Sequence, residues 1–402
     1  MVIVFVVPSF FAKNTVATGL PNYIYRVSKS LQKLGHTPIV ITAGGVDEAV
    51  RYDGIQVYRR EIPACPLHGN EIVQYLHKSF FMNIVLGKEL NCLCKKQRVD
   101  IIQFCNLYGL GILYKRKIPS VLRLSSYAPE YYKYSNTYSH RYIKTMGFIE
   151  RLAGRGKHAI FAPSNVMASA YCRDTGRHVD VIETPYIIDT FGSDELYQKH
   201  LAGKKYFLFF GSLYAEKGIY VISRIVGRLL KEHSDFYFVF IGPLHKNDQT
   251  PLKEIYKNAG SCKDRIIYLK PLKHDSLYPI IRQADYVVLP SLMDNFPNAC
   301  IEAMSFGRIV IGTDGTSFEQ LITDGVNGFL SKPGDAESLY RKICEACALT
   351  AEQKSTMSEK AAQRIDLLKP DVVVKRLIQY YGKVLSDYRR KSDGVKQSEK
   401  NY

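Results

Sequence analysis

Two carboxylates, Asp294 and Glu302, stand eight residues apart around the predicted start of a helix. An apolar run at 286–289 predicts a strand, and the turn after it leads into a predicted helix at 299–304. The first amides of a helix have no partner within it, and the helix dipole adds positive charge there. The pattern therefore predicts an anion site, with one acid in the loop and the other about one turn into the helix.

Carboxylates beside an anion site need a purpose other than binding phosphate. Both could accept hydrogen bonds from sugar hydroxyls on either side of a diphosphate, which suits a nucleotide-sugar. Alternatively, Asp294 is a helix-capping acid and Glu302 a solvated helix residue, and each residue alone fits that interpretation. Asn298 and Ala299 would supply backbone amides to the anion, since Pro297 has no N–H.

The composition indicates a globular protein with an anionic partner. The chain has 402 residues, of which 46% are hydrophobic, and this length accommodates two domains. Its net charge of +17 predicts binding to an anionic molecule or surface. The sequence has no zinc-finger pair, basic zipper or RNA-binding aromatic motif, so we expect no nucleic acid and favour an anionic membrane surface.

Short apolar runs alternate with predicted helices in both halves of the chain, which is typical of parallel sheets flanked by helices. The predicted strands are 2–7, 38–42, 99–104, 120–124 and 159–162 in the first half, and 206–210, 237–241, 266–269, 286–289 and 309–311 in the second. We therefore predict an α/β protein with two doubly wound domains that bind a ligand at the carboxyl ends of their strands.

The predicted domains span residues 1–195 and 204–370, with the join near 190–205. A helix is predicted at 371–390, followed by a basic polar tail at 391–402. The glycine-rich dinucleotide fingerprint does not follow the first strand, which argues against a nicotinamide enzyme.

Several segments resemble, in order, those of the family 4 retaining glycosyltransferases. The stretch 290–307, with its Pro-Ser, its two acids and Asn-Phe-Pro-Asn between them, is similar to the donor signature of that family. The other matching segments are 18–21, 162–164, 184–189, 210–218, 312–319 and 324–330. The resemblance covers nearly the whole chain. It implies the GT-B fold, with two Rossmann-like domains facing a central cleft and the helix at 371–390 packing back on the first domain.

The resemblance also implies residue roles. Lys217 would bind the donor diphosphate, and it forms with Asp294 the predicted catalytic pair. Asp294 would position the donor sugar and Glu302 the ribose. Leu272 lies in a turn that borders the nucleobase in the family, although a plain loop is the alternative. The complete predicted donor site is Gly19, Gly211, Ser212, Lys217, Leu272, Asp294, Asn298, Ala299 and Glu302.

The chain departs from the family pattern at three places. Asp294 stands where the family usually has Glu, which keeps the charge but shortens the side chain by one methylene. Ser212 stands where the family usually has Arg, so one bidentate phosphate donor is missing. The family's histidine after the strand at 120–124 is replaced by Ser125 or Ser126, and this makes the donor sugar harder to predict.

A tyrosine-rich and basic segment at 127–157 is the predicted acceptor or membrane contact. Its candidate residues are Tyr131, Tyr132, Lys133, Arg141 and Lys144. The alternative is a helical hairpin with half-buried tyrosines. The predicted acceptor is a lipid-linked or oligosaccharide chain.

The sequence thus predicts a retaining glycosyltransferase that uses a nucleotide-sugar in surface polysaccharide biosynthesis. No Asp-x-Asp motif is present, so no metal or other cofactor is expected. Scattered cysteines and the lack of an export signal predict the cytoplasm, with peripheral attachment to the inner face of the membrane. Two alternatives remain open: a nucleotide-sugar 2-epimerase of the same fold, and a non-catalytic basic membrane-binding protein.

Overall fold

The chain forms two structural units, and each is described by itself. Unit 1 comprises Met1–Tyr186 and Leu368–Tyr402, and unit 2 comprises Ile187–Leu367. The computed structural model describes residues 1–11, 19–67, 69–115, 118–134, 138–188, 192–244 and 250–399, with side chains up to residue 391. Thr18 and Asp189 of the family-like segments lie outside the described residues, as do 135–137 of the tyrosine-rich segment, 190–191 of the predicted join and 400–402 of the predicted tail.

Unit 1 is built on an eight-stranded sheet. Its strands are β1 Val2–Val7, β2 Thr37–Gly44, β3 Glu48–Tyr52, β4 Ile55–Glu61, β5 Ile101–Cys105, β6 Ser120–Arg123, β7 Ala159–Ala162 and β8 Asp180–Val181. They are arranged in the order β3-β4-β2-β1-β5-β6-β7-β8, and neighbours are parallel except β3 and β4. The helices before its final segment are α1 Gly19–Lys33, α2 Glu71–Lys96, α3 Ala128–Tyr131, α4 His140–Gly154 and α5 Asn165–Thr175.

The centre of this sheet is almost entirely apolar. Residues 3–7 of β1 are all buried, as a central parallel strand with both faces covered requires. The strand order reverses between β1 and β5, so the loops after these two strands lead away in opposite directions. In open α/β sheets such a reversal creates the ligand crevice at the carboxyl ends of the strands.

Unit 2 has a six-stranded sheet in which all neighbouring strands are parallel. Its strands are β9 Lys205–Phe210, β10 Phe236–Ile241, β11 Ile266–Leu269, β12 Tyr286–Val288, β13 Ile309–Thr313 and β14 Phe329–Ser331. They are arranged in the order β11-β10-β9-β12-β13-β14. Its helices are α6 Glu195–His200, α7 Ile219–Glu232, α8 Thr250–Ala259, α9 His274–Gln283, α10 Asn298–Ser305, α11 Ala336–Cys347 and α12 Ala351–Asp366.

The α/β class and the two parallel-sheet domains predicted from the sequence are confirmed. Each predicted strand is present, with ends that differ by two residues at most. The prediction missed β3, β4, β8 and β14. Strand β8 has two residues and β14 has three, too few to show a period. Strand β3 is an exposed edge strand with charged residues, so it lacks an apolar run.

The final helix of the chain, α13 Pro370–Glu399, belongs to unit 1. Its Tyr381 is fully buried and donates a hydrogen bond to Gln103 of β5, and Tyr380 packs edge-on against Phe161 of β7. The helix continues past Arg390, where the sequence predicted a tail. Residues 391–399 contain no proline, so the backbone hydrogen bonds can continue. Among the described residues, no helix is both long and apolar enough to cross a bilayer.

Helix α4 carries a carboxyl group into the core of unit 1. Glu150 is 2% exposed, and its Oε2 accepts a hydrogen bond from the N–H of Ala128 at 2.8 Å. Ala128 is the first residue of α3, so the carboxyl group holds the start of that helix. Burial raises the pKa of Glu150 to about 8, because desolvation disfavours the carboxylate. The group is therefore largely protonated at pH 7.

The substitution Glu150→Gln tests whether the Glu150 carboxyl group is protonated in the folded protein. Between the ordinary glutamate pKa of about 4.3 and about 8, the folded state keeps a proton that the unfolded state has released. The free energy of unfolding must then fall as the pH rises through this window. Glutamine keeps an acceptor for Ala128 but does not titrate. Urea unfolding at several pH values should show wild type losing stability relative to Glu150→Gln as the pH rises.

The exposed Glu359 of α12 provides the control for this experiment. Wild type and Glu359→Gln should keep a constant difference in unfolding free energy across the same window. A constant difference between wild type and Glu150→Gln would show that Glu150 is ionised in the folded protein.

Candidate functional site

The predicted site in unit 2 lies where the strand order of its sheet reverses. Strands β9 and β12 are paired in parallel, with Phe207 opposite Tyr286 and Leu208 opposite Val287. The chain continues from β9 into the loop that carries residues 211–217, and from β12 into the loop that carries residues 290–297. Both loops leave the sheet at the same edge, so residues distant in sequence come together there.

An ion pair joins the two loops. Lys217 Nζ lies 2.6 Å from Asp294 Oδ2, and the two side chains are 27% and 16% exposed. The backbone supports this contact, because the N–H of Leu292 donates to the carbonyl of Glu216 at 2.8 Å. Ser317 Oγ donates to the carbonyl of Asp294 at 2.7 Å. The two predicted catalytic residues are therefore held side by side, and partial burial reduces the screening of their charges by salt.

A glycine permits the close approach of these loops. Gly218, directly after Lys217, has a φ of 75°, and a Cβ there would lie 1.9 Å from the carbonyl oxygen of Pro290. The left-handed conformation and the contact both exclude a side chain. Gly242 plays a similar part, since a Cβ there would lie 1.8 Å from the carbonyl oxygen of Gly211. Ser212 follows Gly211 and is half-buried.

Helix α10 begins beside the ion pair. Its N-cap is Pro297, which makes no side-chain capping hydrogen bond, and the first hydrogen bond within the helix runs from Ile301 N–H to the Pro297 carbonyl. The amides of Asn298 and Ala299 precede that bond, so neither has a partner inside the helix. Asn298 is exposed and Ala299 half-buried. The helix dipole and the amides provide partial positive charge where the sequence predicted an anion.

Glu302 lies inside α10 and is 6% exposed. Its Oε1 is 3.7 Å from His274 Nε2, and the His274 ring stacks on Tyr278 with centroids 5.1 Å apart. His274 begins α9, two residues after the half-buried Leu272. Glu302 is thus a buried acid, whereas the helix-surface alternative required a solvated one. The sequence prediction missed His274, although its position directly after the Leu272 turn was visible.

The predicted site residues of unit 1 have varied surroundings. Gly19 is exposed at the start of α1, and a Cβ there would meet no atom within 4 Å, so packing does not require glycine. Tyr131 and Tyr132 are half-buried, and Tyr132 packs against a cluster of Tyr75, Ala128 and Met146. This agrees with the half-buried tyrosines of the alternative interpretation.

The basic candidates lie nearer the surface. Lys133 is exposed and is 3.6 Å from Glu130, while Arg141 and Lys144 are exposed on α4. The two ends of the segment are buried. Tyr127 is fully buried and donates a hydrogen bond to Asp174 at 2.6 Å. Lys157 is 5% exposed and donates to the Gly111 carbonyl at 2.8 Å.

The described part of the chain holds no group of three His, Cys, Asp or Glu side chains that could bind a metal ion. The arrangement in unit 2 instead combines one lysine, two carboxylates and the amino end of a helix. Such a set can bind an anionic group at the lysine and the amides, and hydroxyl groups at the carboxylates.

Two family models match the sequence. Residues 17–189 match the model described as Glycosyltransferase Family 4, and residues 193–364 match the model described as Glycosyl transferases group 1. Together the two models account for most of the chain, and their junction falls beside the boundary between units 1 and 2.

Curated relatives are distant. D-inositol 3-phosphate glycosyltransferase of Mycolicibacterium vanbaalenii is 27% identical over 134 residues, which is 33% of this chain and 28% of that protein. An uncharacterised glycosyltransferase of Methanocaldococcus jannaschii is 22% identical over 341 residues, which is 81% of this chain and 84% of that protein. The first match therefore spans less than a third of the relative, and the second spans most of it.

Solved structures share the fold at low sequence identity. Sucrose-phosphate synthase of Thermosynechococcus elongatus has a TM-score of 0.73 and 15% identity, over 96% of this chain and 99% of that chain. Anabaena HepE in complex with UDP and glucose has a TM-score of 0.69 and 17% identity, over 95% of this chain and 100% of that chain. WaaG, a glycosyltransferase involved in lipopolysaccharide biosynthesis, has a TM-score of 0.65 and 14% identity, over 93% of this chain and 98% of that chain.

Gly218→Ala should disturb the contact between the two loops. Both the left-handed φ and the clash with the Pro290 carbonyl oppose an alanine there. Gly203→Ala is the matched control, because Gly203 also has a φ of 75° but a Cβ there would meet no atom within 4 Å. The φ cost alone is about 1–2 kcal/mol. We expect Gly218→Ala to lower the free energy of unfolding, measured in urea, by clearly more than Gly203→Ala. Equal losses would show that the loops do not require this close approach.

Proposed function

The chain belongs to glycosyltransferase family 4 and is a glycosyltransferase of the GT-B type, and on that premise we propose that it transfers a sugar with retention from a nucleotide-diphosphate-sugar to a glycan or lipid-linked acceptor. The observation that carries this proposal is the Lys217–Asp294 ion pair beside the start of α10. One side of this site offers positive charge for a diphosphate, and the other side offers carboxylates for sugar hydroxyls.

The diphosphate would bind to Lys217 and to the amides of Asn298 and Ala299. A lysine ammonium has three donors, so Lys217 can keep Asp294 and still contact a phosphate oxygen. Negative charge develops on the diphosphate as its bond to the sugar breaks, and fixed donors at that point stabilise the transition state. Ser212 adds no charge at the position where the family usually has an arginine. Lys217 would therefore be the residue of this loop that neutralises the diphosphate.

The anomeric configuration of the sugar is retained if the departing phosphate acts as the base on the face from which it leaves. The bond between the anomeric carbon and the phosphate oxygen breaks, and the acceptor oxygen forms its bond to the same face of the sugar. The acceptor proton passes to the phosphate oxygen that has just been released. We assign no side-chain base and no metal to this step.

The carboxylates would orient the donor. Asp294 would accept hydrogen bonds from the sugar, and Glu302 from the ribose. Supporting this second role, Glu302 is buried beside His274, which follows the turn that contains Leu272. Anabaena HepE was solved with UDP, so a UDP-sugar is the first donor to test.

We further propose that the protein works in the cytoplasm at the inner face of a membrane, in surface polysaccharide biosynthesis. The net charge of +17 supports attraction to anionic lipid. Helix α4 presents Arg141, Lys144 and the 53% exposed Phe148 at helical spacing on one face. Basic residues with an exposed aromatic ring are typical of helices that lie on a membrane surface. The structural relative WaaG takes part in lipopolysaccharide biosynthesis.

Asp294→Ala, Glu302→Ala and Lys217→Ala test the donor site. Each should lower sugar transfer at subsaturating donor by at least about tenfold, which corresponds to roughly 1.4 kcal/mol. Lys217→Ala should also weaken the binding of UDP or GDP in calorimetry, because it removes a charge-assisted contact. Asp294→Glu should keep activity, since Glu is the residue that the family usually has.

Lys257→Ala, at an exposed position of α8, makes the same charge change away from the site and should leave binding and transfer unchanged. Normal activity in both acid variants would refute the donor-site assignment. Nuclear magnetic resonance of the product decides whether the anomeric configuration is retained. Donor consumption without a transfer product would favour the epimerase, and no consumption with a panel of donors would favour the non-catalytic binding protein.

Charge reversal at Lys133, Arg141 and Lys144 tests the membrane proposal. The fraction of protein that sediments with anionic vesicles should fall when all three residues are replaced by Glu, and it should fall for wild type in high salt. The rate of donor hydrolysis should be unchanged in the triple variant. The control reverses the exposed Lys231, Lys253 and Lys257 of unit 2 and therefore changes the net charge equally. Equal losses in both variants would mean that total charge, and not α4, directs binding. Wild-type binding to neutral vesicles as well would contradict the electrostatic proposal.

A further inference from the structure

A basic cavity lies between the ends of two helices in unit 1. Its volume is about 290 Å³, close to the lower limit of about 300 Å³ for small-molecule sites. Residues of α4 and α5 line it, together with three arginines: Arg151, Arg155 and Arg177. Helix α4 ends at Gly154, before β7 begins, and α5 ends at Thr175, before β8 begins. The cavity therefore lies at the amino edge of the sheet, away from the crevice at its carboxyl edge.

The lining of this cavity carries a net positive charge. Its one acid is Asp174, which lies 3.4 Å from Arg173, outside the cavity, and 4.0 Å from Arg151. Within the described residues, neither Arg155 nor Arg177 has a carboxylate at ion-pair distance. Three arginines and one aspartate leave a net charge of +2 on the lining. An anionic group entering the cavity would therefore be attracted by it.

Two of the three arginines are held in place by the protein. Arg177 Nη1 donates to the carbonyl of Gly154 at 3.2 Å, and its Nη2 donates to the carbonyl of Lys157 at 2.9 Å. Arg151 Nη1 donates to the hydroxyl of Tyr127 at 3.0 Å. A guanidinium has five N–H donors, so each of these arginines keeps donors for a ligand. Side chains that are already fixed lose little entropy when they bind an anion.

These arginines also have a structural explanation. The carboxyl ends of α4 and α5 carry partial negative charge, which cations stabilise. That role accounts for Arg177, which donates to carbonyls where α4 ends. It leaves Arg155 unexplained, since this exposed side chain forms no hydrogen bond or ion pair with the described residues. It also does not require that the arginines surround a cavity.

The cavity continues the face of α4 that we assigned to the membrane. Phe148 lines the cavity and is 53% exposed. Lys144, Phe148, Arg151 and Arg155 follow one another at spacings of four, three and four residues, which places them on one face of the helix. An apolar ring and two guanidinium groups are therefore neighbours at the same opening.

We propose that this cavity binds the phosphate group of an anionic phospholipid, an inference that rests on the membrane attachment proposed above. Planar guanidinium groups bind phosphate oxygens in pairs, which a lysine ammonium does not. The exposed ring of Phe148 suits the apolar part of a lipid beside its headgroup. A soluble phosphate ester has no apolar part for this ring to contact, so the lipid is the ligand that fits the whole lining. Every residue of the cavity belongs to unit 1.

Calorimetry of the full chain with dihexanoyl phosphatidylglycerol, kept below its critical micelle concentration, tests the proposal without a membrane. Wild type should bind this lipid more tightly than dihexanoyl phosphatidylcholine, whose choline cancels the phosphate charge. It should also bind the lipid more tightly than glycerol 3-phosphate, which lacks the acyl chains. Arg155→Gln should weaken binding of the lipid by about tenfold, or about 1.4 kcal/mol. Arg155→Lys should lose less, since it keeps the charge but not the planar fork.

Arg51→Gln is the matched control. Arg51 is exposed on β3, at the opposite end of the strand order from β7 and β8, and its replacement makes the same charge change. This variant should bind the short-chain lipid as wild type does. Thermal unfolding of each variant checks that it is folded. If Arg155 serves only the end of α4, Arg155→Gln will lower the unfolding temperature and leave lipid affinity unchanged.

The proposal is overturned if wild type does not bind the short-chain lipid, or if Arg155→Gln binds it as tightly as wild type or loses no more affinity than Arg51→Gln. Glycerol 3-phosphate binding as tightly as the lipid would make the ligand a soluble phosphate ester and overturn the lipid assignment. The membrane proposal can fail separately. Lipid binding through Arg155 without sedimentation on anionic vesicles would keep the cavity site and refute membrane attachment, and sedimentation with unchanged lipid affinity in Arg155→Gln would do the reverse.

Discussion

The contact between Lys217 and Asp294 depends on the order of the strands in unit 2. Strand β12 pairs with β9, not with β11, which precedes it in the chain. The loops that follow β9 and β12 are therefore neighbours, although their charged residues are 77 positions apart. The same pairing brings the Gly218 backbone against Pro290 and allows Leu292 to bond with Glu216. A different strand order would leave Lys217 and Asp294 in loops that are not neighbours.

The sequence was sufficient to predict the strands that are buried on both faces, because they are continuous apolar runs between turns. The edge hairpin of β3 and β4 was missed, yet it had a signal. Asp53 and Gly54 lie between the two strands with φ values of 45° and 80°, which is the geometry of a tight hairpin turn. A sequence search guided by apolar runs overlooks such edges, since their exposed residues are charged.

The features of the candidate site also divide into those that the sequence could predict and those that depend on tertiary packing. Asp294, Asn298 and Glu302 could be placed around a helix start because they are close in sequence. The partner of Asp294, the burial of Glu302 and its neighbour His274 depend on the packing of separate elements. Arg123 shows the limit most clearly: an arginine near the end of a predicted strand is usually solvated, and only the tertiary structure shows that this one is buried.

The assignment of α13 to unit 1 has a consequence for synthesis of the chain. Unit 2 is continuous in sequence, whereas unit 1 needs both its first 186 residues and those from Leu368 onward. The hydroxyl of Tyr381 reaches Gln103 across 278 positions. Unit 2 can therefore form its own contacts on the ribosome. The sheet of unit 1, although synthesised first, stays uncovered at the surface where α13 packs until that helix has been made. Protection of that apolar surface from other chains during translation becomes a requirement of this architecture.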